Sequence, residues 1–369
     1  MTAARKTKSN SAATLLELMV SMVIVGAILI LVASMIEVSA RNLVKVEETA
    51  DEKSNVRKAM TALTRNLSQA ALNSYWDYND PVRPTLFQRQ SELHFVSGAA
   101  DRLLSGSRQV TGHAVFFQAP FGYGGSEAGN LGGGEDFDEL QDSLNCWGYF
   151  IEYGSDMDSD RPLRPDFLRN EVALHPARNR FRLMEFRLAS EKMNLFGRSF
   201  SGGTTLGQQS SEDGVRGWFQ RTEVLVPNSG PIAENIVALV LRPRAPQRFE
   251  RDNDLAPKYY YDTRRHQYEG SGGLAAISRH QLPPMMDLTM VAVSEDSYAR
   301  VESTNPKIAD ELIAVVSKLF QEASRTKEDV LKLEEFLIEN KLSYRTLSTS
   351  IAIPAAKWVT STERDPTGA

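Results

Sequence analysis

One carboxylate, Glu17, stands at the head of an uncharged, proline-free apolar run from Leu18 to Ile36, with Arg5, Lys6 and Lys8 before it. A charge at such a position is costly in a low dielectric unless it is paired or neutralised, so it is read first as functional. Three further acids, Asp156, Asp158 and Asp160, alternate along a loop and could present hard oxygens to calcium. The rest of the calcium-loop pattern is missing, since Arg161 stands where Gly is expected and Phe167 where Glu is expected. The bland reading of these weak calcium candidates is a set of solvated loop acids.

Other chemistry is sparse. His94, His113, His175, His266 and His280 form no His-x-x-x-His pair, which argues against a zinc hydrolase, and no Gly-x-Ser-x-Gly elbow occurs. Cys146 is the single cysteine; beside Trp147 in an apolar strand it reads as a small core residue rather than a nucleophile, and alone it excludes an internal disulfide framework. Arg178, Arg180, Arg182 and Arg187 could gather an anion, although an exposed sheet face is the plainer expectation. Net charge is −5 with both signs interspersed, so no basic footprint for nucleic acid is visible. The glycine-rich segments Gly122–Gly134 and Gly202–Gly217 carry neither a dinucleotide fingerprint nor a P-loop lysine and read as mobile loops. No enzyme site emerges and no cofactor is expected, calcium apart.

The elements that must position these residues begin with a helix. At about 1.5 Å per residue, Leu18 to Ile36 is long enough to cross most of a bilayer core of roughly 30 Å. Between Glu37 and Leu72 there is no Gly or Pro, and Val56, Met60, Leu63, Leu67 and Ala70 recur at helical spacing opposite a face of mixed charge. Thr14 to Leu72 predicts about 59 helical residues, on the order of 90 Å if straight. Gly26 within it costs roughly 1 kcal/mol of helix propensity. Beyond, Glu92–Val96, Val110–Gln118, Trp147–Tyr153, Arg180–Leu188, Val224–Val226, Ile236–Leu241 and Leu288–Val293 read as strands of one mostly antiparallel sheet system. Helices are expected over Lys307–Ala323 and Glu328–Asn340, the latter capped by Thr326, with a last strand near Tyr344–Ile353.

The N-terminus admits three readings. A signal peptide cut after Val38-Ser39-Ala40 meets the small-residue rule, but its apolar core is too long and Glu37 lies in the cleavage region. A plain membrane anchor with a cytoplasmic basic leader leaves Glu17 unexplained, unless it sits at headgroup depth on the helix dipole. The third rests on resemblance. The basic leader and Thr14-Leu15-Leu16-Glu17-Leu18-Met19-Val20 resemble the prepilin N-terminal methylation motif of type IV pilins and type II secretion pseudopilins. That resemblance implies cleavage by prepilin peptidase between Ala12 and Ala13 and N-methylation of Ala13. The family usually has Gly before the cut and an aromatic residue or Met after it, where this chain has two alanines. The freed Ala13 amine would be the natural counter-ion for Glu17 of a neighbouring subunit, and the pairing would set the stagger of a filament.

The stretch Lys58–Ala70 is similar to the end of the first helix in minor pilins of the PilW type and pseudopilins of the J type. Leu67–Tyr78, Glu92–Gly98, Arg182–Arg187 and Ala355–Trp358 together resemble the Verru_Chthon cassette protein C family, a bacterial pilin-like group of uncharacterised role. The resemblance implies an α+β fold, with a leader at 1–12, a transmembrane helix at 13–36, its amphipathic continuation at 37–75 and a periplasmic or extracellular head at 76–369. It also implies a structural minor pilin or pseudopilin of a pilus or secretion-like filament, in the bacterial inner membrane, with prepilin peptidase and other pilin-like subunits as partners. The alternative is a membrane-anchored extracellular binding module that does not assemble.

Overall fold

A computed structural model describes residues 19, 22–26, 28–30, 32 and 35, and then residues 54–364 apart from 79–81, 84, 86, 105, 107, 123–142, 159, 162, 165–175, 194–215, 246–254, 265–279 and 358–362. Ala12, Ala13, Glu17, the join expected across residues 36–53 and nearly all of both glycine-rich segments lie outside the described residues. Contacts divide the chain into Met1–Ser54 and Asn55–Ala369. In the first unit the described residues are helical, and Met22, Val23 and Ile30 are exposed apolar side chains. Among the described residues no helix is long and apolar enough to cross a membrane.

The second unit is α+β, with antiparallel sheets and C-terminal helices. Helix α1 covers residues 55–68. Strands β1 (Tyr75–Tyr78), β2 (Phe87–Gln90) and β3 (Val96–Ala99) follow, then the short helix α2 (Ala100–Leu103) and the long strands β4 (Gln109–Pro120), β5 (Leu144–Ser155) and β6 (Asn179–Leu188). Helix α3 (Thr222–Leu225) leads into β7 (Ser229–Glu234), β8 (Ile236–Arg244), β9 (Tyr261–Asp262) and β10 (Met285–Val293). The chain closes with α4 (Glu295–Thr304), α5 (Ile308–Lys318), α6 (Thr326–Glu339), β11 (Tyr344–Ala352) and β12 (Glu363–Arg364).

Among the described residues the strands form three sheets rather than the single system expected: β7-β6-β5-β4-β3-β9, β11-β10-β8 and β1-β2-β12. The six-stranded sheet is buried on both faces, and the alternation of its side chains explains how. Phe117, Tyr149, Ile151 and Leu183 face one core with the α1 stripe of Val56, Ala59, Met60, Leu63 and Leu67, the apolar residues of β8 and β10, and the C-terminal helices. Phe116, Phe150, Met184 and Phe186 face a second core closed by Trp218, Phe219 and Leu225. Val56, Met60, Leu63, Leu67 and Ala70, the predicted helical stripe, are buried together with Ala59, each large side chain contributing roughly 1.5–3 kcal/mol on burial.

Several local expectations change. Val224–Val226 is part of a helical turn, because Leu225 and Val226 are adjacent buried residues rather than alternating ones, and the amides of Val224 and Leu225 both reach the Arg221 carbonyl. The strand expected at Glu92–Val96 begins only at Val96. The helix expected over Lys307–Ala323 stops at Lys318, and Ala323–Arg325 is a separate 3₁₀ turn. Thr326 does not cap α6; its hydroxyl bonds the Ala323 carbonyl at 2.6 Å and meets the Tyr259 hydroxyl. Helix α4 was not foreseen, since only Ser297 and Tyr298 of it are buried.

The two larger sheets meet where β4 bulges between Thr111 and Val115. Gly112 sits there with φ +66°, and a Cβ would lie 2.8 Å from the Leu239 carbonyl oxygen of β8. Gly112→Ala is therefore expected to destabilise the fold by about 2 kcal/mol or more through backbone strain and collision. Gly230→Ala, whose Cβ would meet nothing within 4 Å, is expected to stay within about 0.5 kcal/mol of the parent. Denaturant midpoints of the two variants check this, and equal midpoints would contradict the close approach of the sheets.

Candidate functional site: the seam between the first helix and the sheet

Cross-strand pairing sets Tyr149 on β5 opposite Glu185 on β6, and Trp147 opposite Arg187. Period-two alternation turns Trp147, Tyr149 and Glu185 toward α1. One oxygen of the Glu185 carboxylate accepts the Tyr149 hydroxyl at 2.6 Å and the Trp147 indole N–H at 2.9 Å. The Asn66 amide of α1 donates to the Tyr149 oxygen at 2.7 Å and approaches the same carboxylate oxygen at 3.4 Å. The other carboxylate oxygen lies 3.3 Å from Arg187 Nε, whose guanidinium covers the Trp147 ring. Burial, and next the Glu185 charge, push the Tyr149 phenol far above its usual range, so it stays a donor. This saturated node ties α1 to two central strands inside an otherwise apolar seam. It contains no free nucleophile, and what it can do is hold the helix in one register on the head.

His94, Asp262 and Trp218 make a second buried cluster that imitates an acid–base dyad. His94 Nε2 lies 2.9 Å from Asp262 Oδ1, and the Trp218 indole N–H points at His94 Nδ1 from 3.2 Å. That donor fixes the tautomer: Nδ1 accepts and Nε2–H donates. Burial pushes the His94 pKa down; Asp262, despite burial, is held below the usual carboxylate range by bonds from His94, Tyr260 and the Arg264 amide. With both ring nitrogens engaged and no exposure to solvent, the imidazole has no atom left for a substrate proton. His113 is likewise internal. Its Nδ1 accepts the Leu241 amide at 3.0 Å, a second bond joins it to the Phe320 backbone, and burial lowers its pKa to about 4.

The charged residues singled out in the sequence are brought together as ion pairs. Asp156 accepts Arg164 Nε at 2.6 Å and the Arg178 amide, Asp158 pairs with Arg108 at 3.1 Å, and Asp160 lies 3.7 Å from the same Arg108. Their oxygens are thus turned to guanidinium groups rather than to a common centre, and among the described residues no three metal-ligating side chains converge. The exposed arginine face is also corrected. Arg180 and Arg182 are buried beneath α4 and β7, where Arg180 pairs with Glu295 at 2.7 Å and Glu302 at 2.9 Å, and Arg182 with Glu234 at 3.0 Å. Arg178 and Arg187 remain about half exposed. The chain's own carboxylates fill the place of an external anion. Cys146 is fully buried, and burial raises its thiol far above the usual range.

Asn66 and Glu185 escaped the sequence reading. The available signal was a polar residue on the apolar side of a helical stripe and an acid between the apolar Met184 and Phe186. Compared with known proteins, the chain matches no family model, no curated protein and no solved structure.

Glu185→Gln keeps an acceptor and should cost about 1 kcal/mol, whereas Glu185→Leu strands the Trp147 and Tyr149 donors and should cost roughly 2–4 kcal/mol. Hydrogen exchange across residues 55–68 should accelerate in the second variant, and unchanged exchange there would contradict the role of the node. His113 gives a pH prediction. Its folded pKa lies below the unfolded value near 6.5, so the unfolded chain binds more protons between about pH 6.5 and 4 and stability falls as pH drops through that window. The loss is about 3 kcal/mol by linkage, and buried His94 acts in the same direction. Denaturant curves at pH 7 and pH 4 read it directly; a flat profile would exclude a neutral core imidazole.

Proposed function

We propose that the protein is a structural minor pilin or pseudopilin-like subunit, cleaved between Ala12 and Ala13 and joined to a filament through its N-terminal helix. The observation that carries this reading is Glu17, alone at the head of an apolar run that follows a basic leader. An unpaired carboxylate there demands a cation, and the α-amine released at Ala13 is one at the right depth on the neighbouring subunit. An uncut leader keeps the charge on the cytoplasmic side, so processing precedes assembly.

The head is consistent with that role. Helix α1 inserts an apolar face into the main core of the second unit and is pinned by Asn66 at the Glu185 node. A subunit held by its N-terminal helix needs such a joint, because a load on the helix must reach the head without peeling it off. In this reading, the membrane segment at 13–36 is the assembly element. The Glu185 node and the His94–Asp262–Trp218 cluster, which bond internally, fit a structural subunit better than an enzyme. Prepilin peptidase, the inner membrane and other pilin-like subunits are its partners.

Replacing Glu17 by Ala or Val should abolish incorporation into a filament while leaving membrane insertion intact, measured by fractionation and filament shearing. Unchanged assembly would sink the proposal and leave the anchored binding module. Mass spectrometry of the mature N-terminus separates the processing routes. N-methylated Ala13 is expected; a chain beginning at Arg41 would mean a signal peptide, and an intact leader a plain anchor.

A further inference from the structure

The outer edge of the three-stranded sheet combines two features of one surface. β11 pairs with β10 in unbroken register from Tyr344 opposite Val293 to Ala352 opposite Met285, and among the described residues it has no second strand neighbour. In an antiparallel edge strand every second residue turns its N–H and C=O away from the sheet. Edges of this length are usually blunted by lysine, proline or a bulge. β11 has none of these, and Arg345 is its only charge.

Helix α6 supplies the second feature. Leu331 and Ile338 are 58% and 62% exposed, two large apolar side chains on the outer side of a helix whose inner side buries Leu333 and Leu337. Glu334, about one turn from each, accepts a 2.6 Å bond from the Thr346 hydroxyl of β11. That bond places the exposed apolar pair beside the open strand. The same helix carries five carboxylates against two lysines, a net charge of −3.

We infer that this surface takes an extended segment of another protein chain as an added strand, apolar at alternate positions and basic between them. The outward backbone groups of β11 supply the main-chain bonds of strand addition, and alternation brings every second side chain of the incoming strand to one side, toward Leu331 and Ile338. Its basic residues meet the acidic helix. Phosphate-bearing polymers are disfavoured by the same helix charge, and two leucine-sized side chains are too small a patch to hold a lipid surface. The inference concerns the head alone and stands whether or not the chain assembles through Glu17.

The test uses the full chain in detergent micelles and a fluorescent nine-residue peptide, Lys-Val-Thr-Val-Lys-Val-Thr-Val-Lys, with blocked ends. Saturable binding by anisotropy is expected, together with slowed amide exchange across residues 344–352. Combining Leu331→Ser with Ile338→Ser should weaken binding about tenfold or more, the equivalent of some 1.4 kcal/mol. Both positions are exposed, so the variant should fold. Methylating alternate backbone nitrogens along one edge of the peptide should weaken it at least as much, and replacing its lysines by glutamates should weaken it further. Absent saturation, or binding indifferent to all three changes, overturns the proposal. So does protection of the outward-pointing β11 amides before peptide is added, which would mean that this chain covers its own edge. Self-association abolished by the two serines would instead make a second copy the occupant, and would equally overturn it.

Discussion

A six-stranded antiparallel sheet with apolar side chains on both faces cannot exist in water uncovered, and the arrangement of the second unit follows from that constraint. Phe116 and Phe117, neighbours in sequence, point into different cores. Each face therefore needs its own lid. On one side the lid is assembled from α1, the β8-β10-β11 sheet and the C-terminal helices; on the other from residues 216–225, where Phe219 stacks on Phe116 with ring centres 4.1 Å apart. The crowding extends to the backbone: a Cβ on Gly148 would fall 2.3 Å from the Phe116 ring, so only glycine lets that ring lie flat on the sheet.

Double coverage also dictates the fate of polar groups. Segments that carry Glu185, Arg180, Arg182 and His94 into such an interior must bring partners with them, since an unpaired buried charge costs far more than the pair yields. Glu185 finds its partners on β5 and α1, Arg180 on α4, and His94 on β9 and the Trp218 segment. These contacts cross from one layer to the next at fixed points. They select one docking of each lid, where apolar packing alone would tolerate sliding.

The Glu185 node and the His94–Asp262–Trp218 cluster complete their bonding within the head. The Asn66–Tyr149–Glu185 node, set in the apolar stripe of α1, fixes that helix in one register on the sheet.

Much of this was legible in the residue order. The stripe of α1 and the strands β4, β5, β6, β8 and β10 were readable because their periodicity is a local property, repeated over enough residues to outweigh noise. Glu17 was readable for the same reason, as a charge against an apolar background. The partners of the arginines were not, because Glu295 and Glu302 lie 115 and 122 residues from Arg180 and only the folding of α4 over β6 brings them close. The turn at Val224–Val226 was misread, since three apolar residues carry no period. The sequence by itself determined the helical stripe of α1, the long central strands, and where a charge is anomalous. Only the tertiary structure decided that the sheet is covered twice, that its polar residues are internal ties, and which strand edge has no neighbour among the described residues. Those properties depend on which segments meet in space, and a linear pattern of hydrophobicity does not encode the meeting.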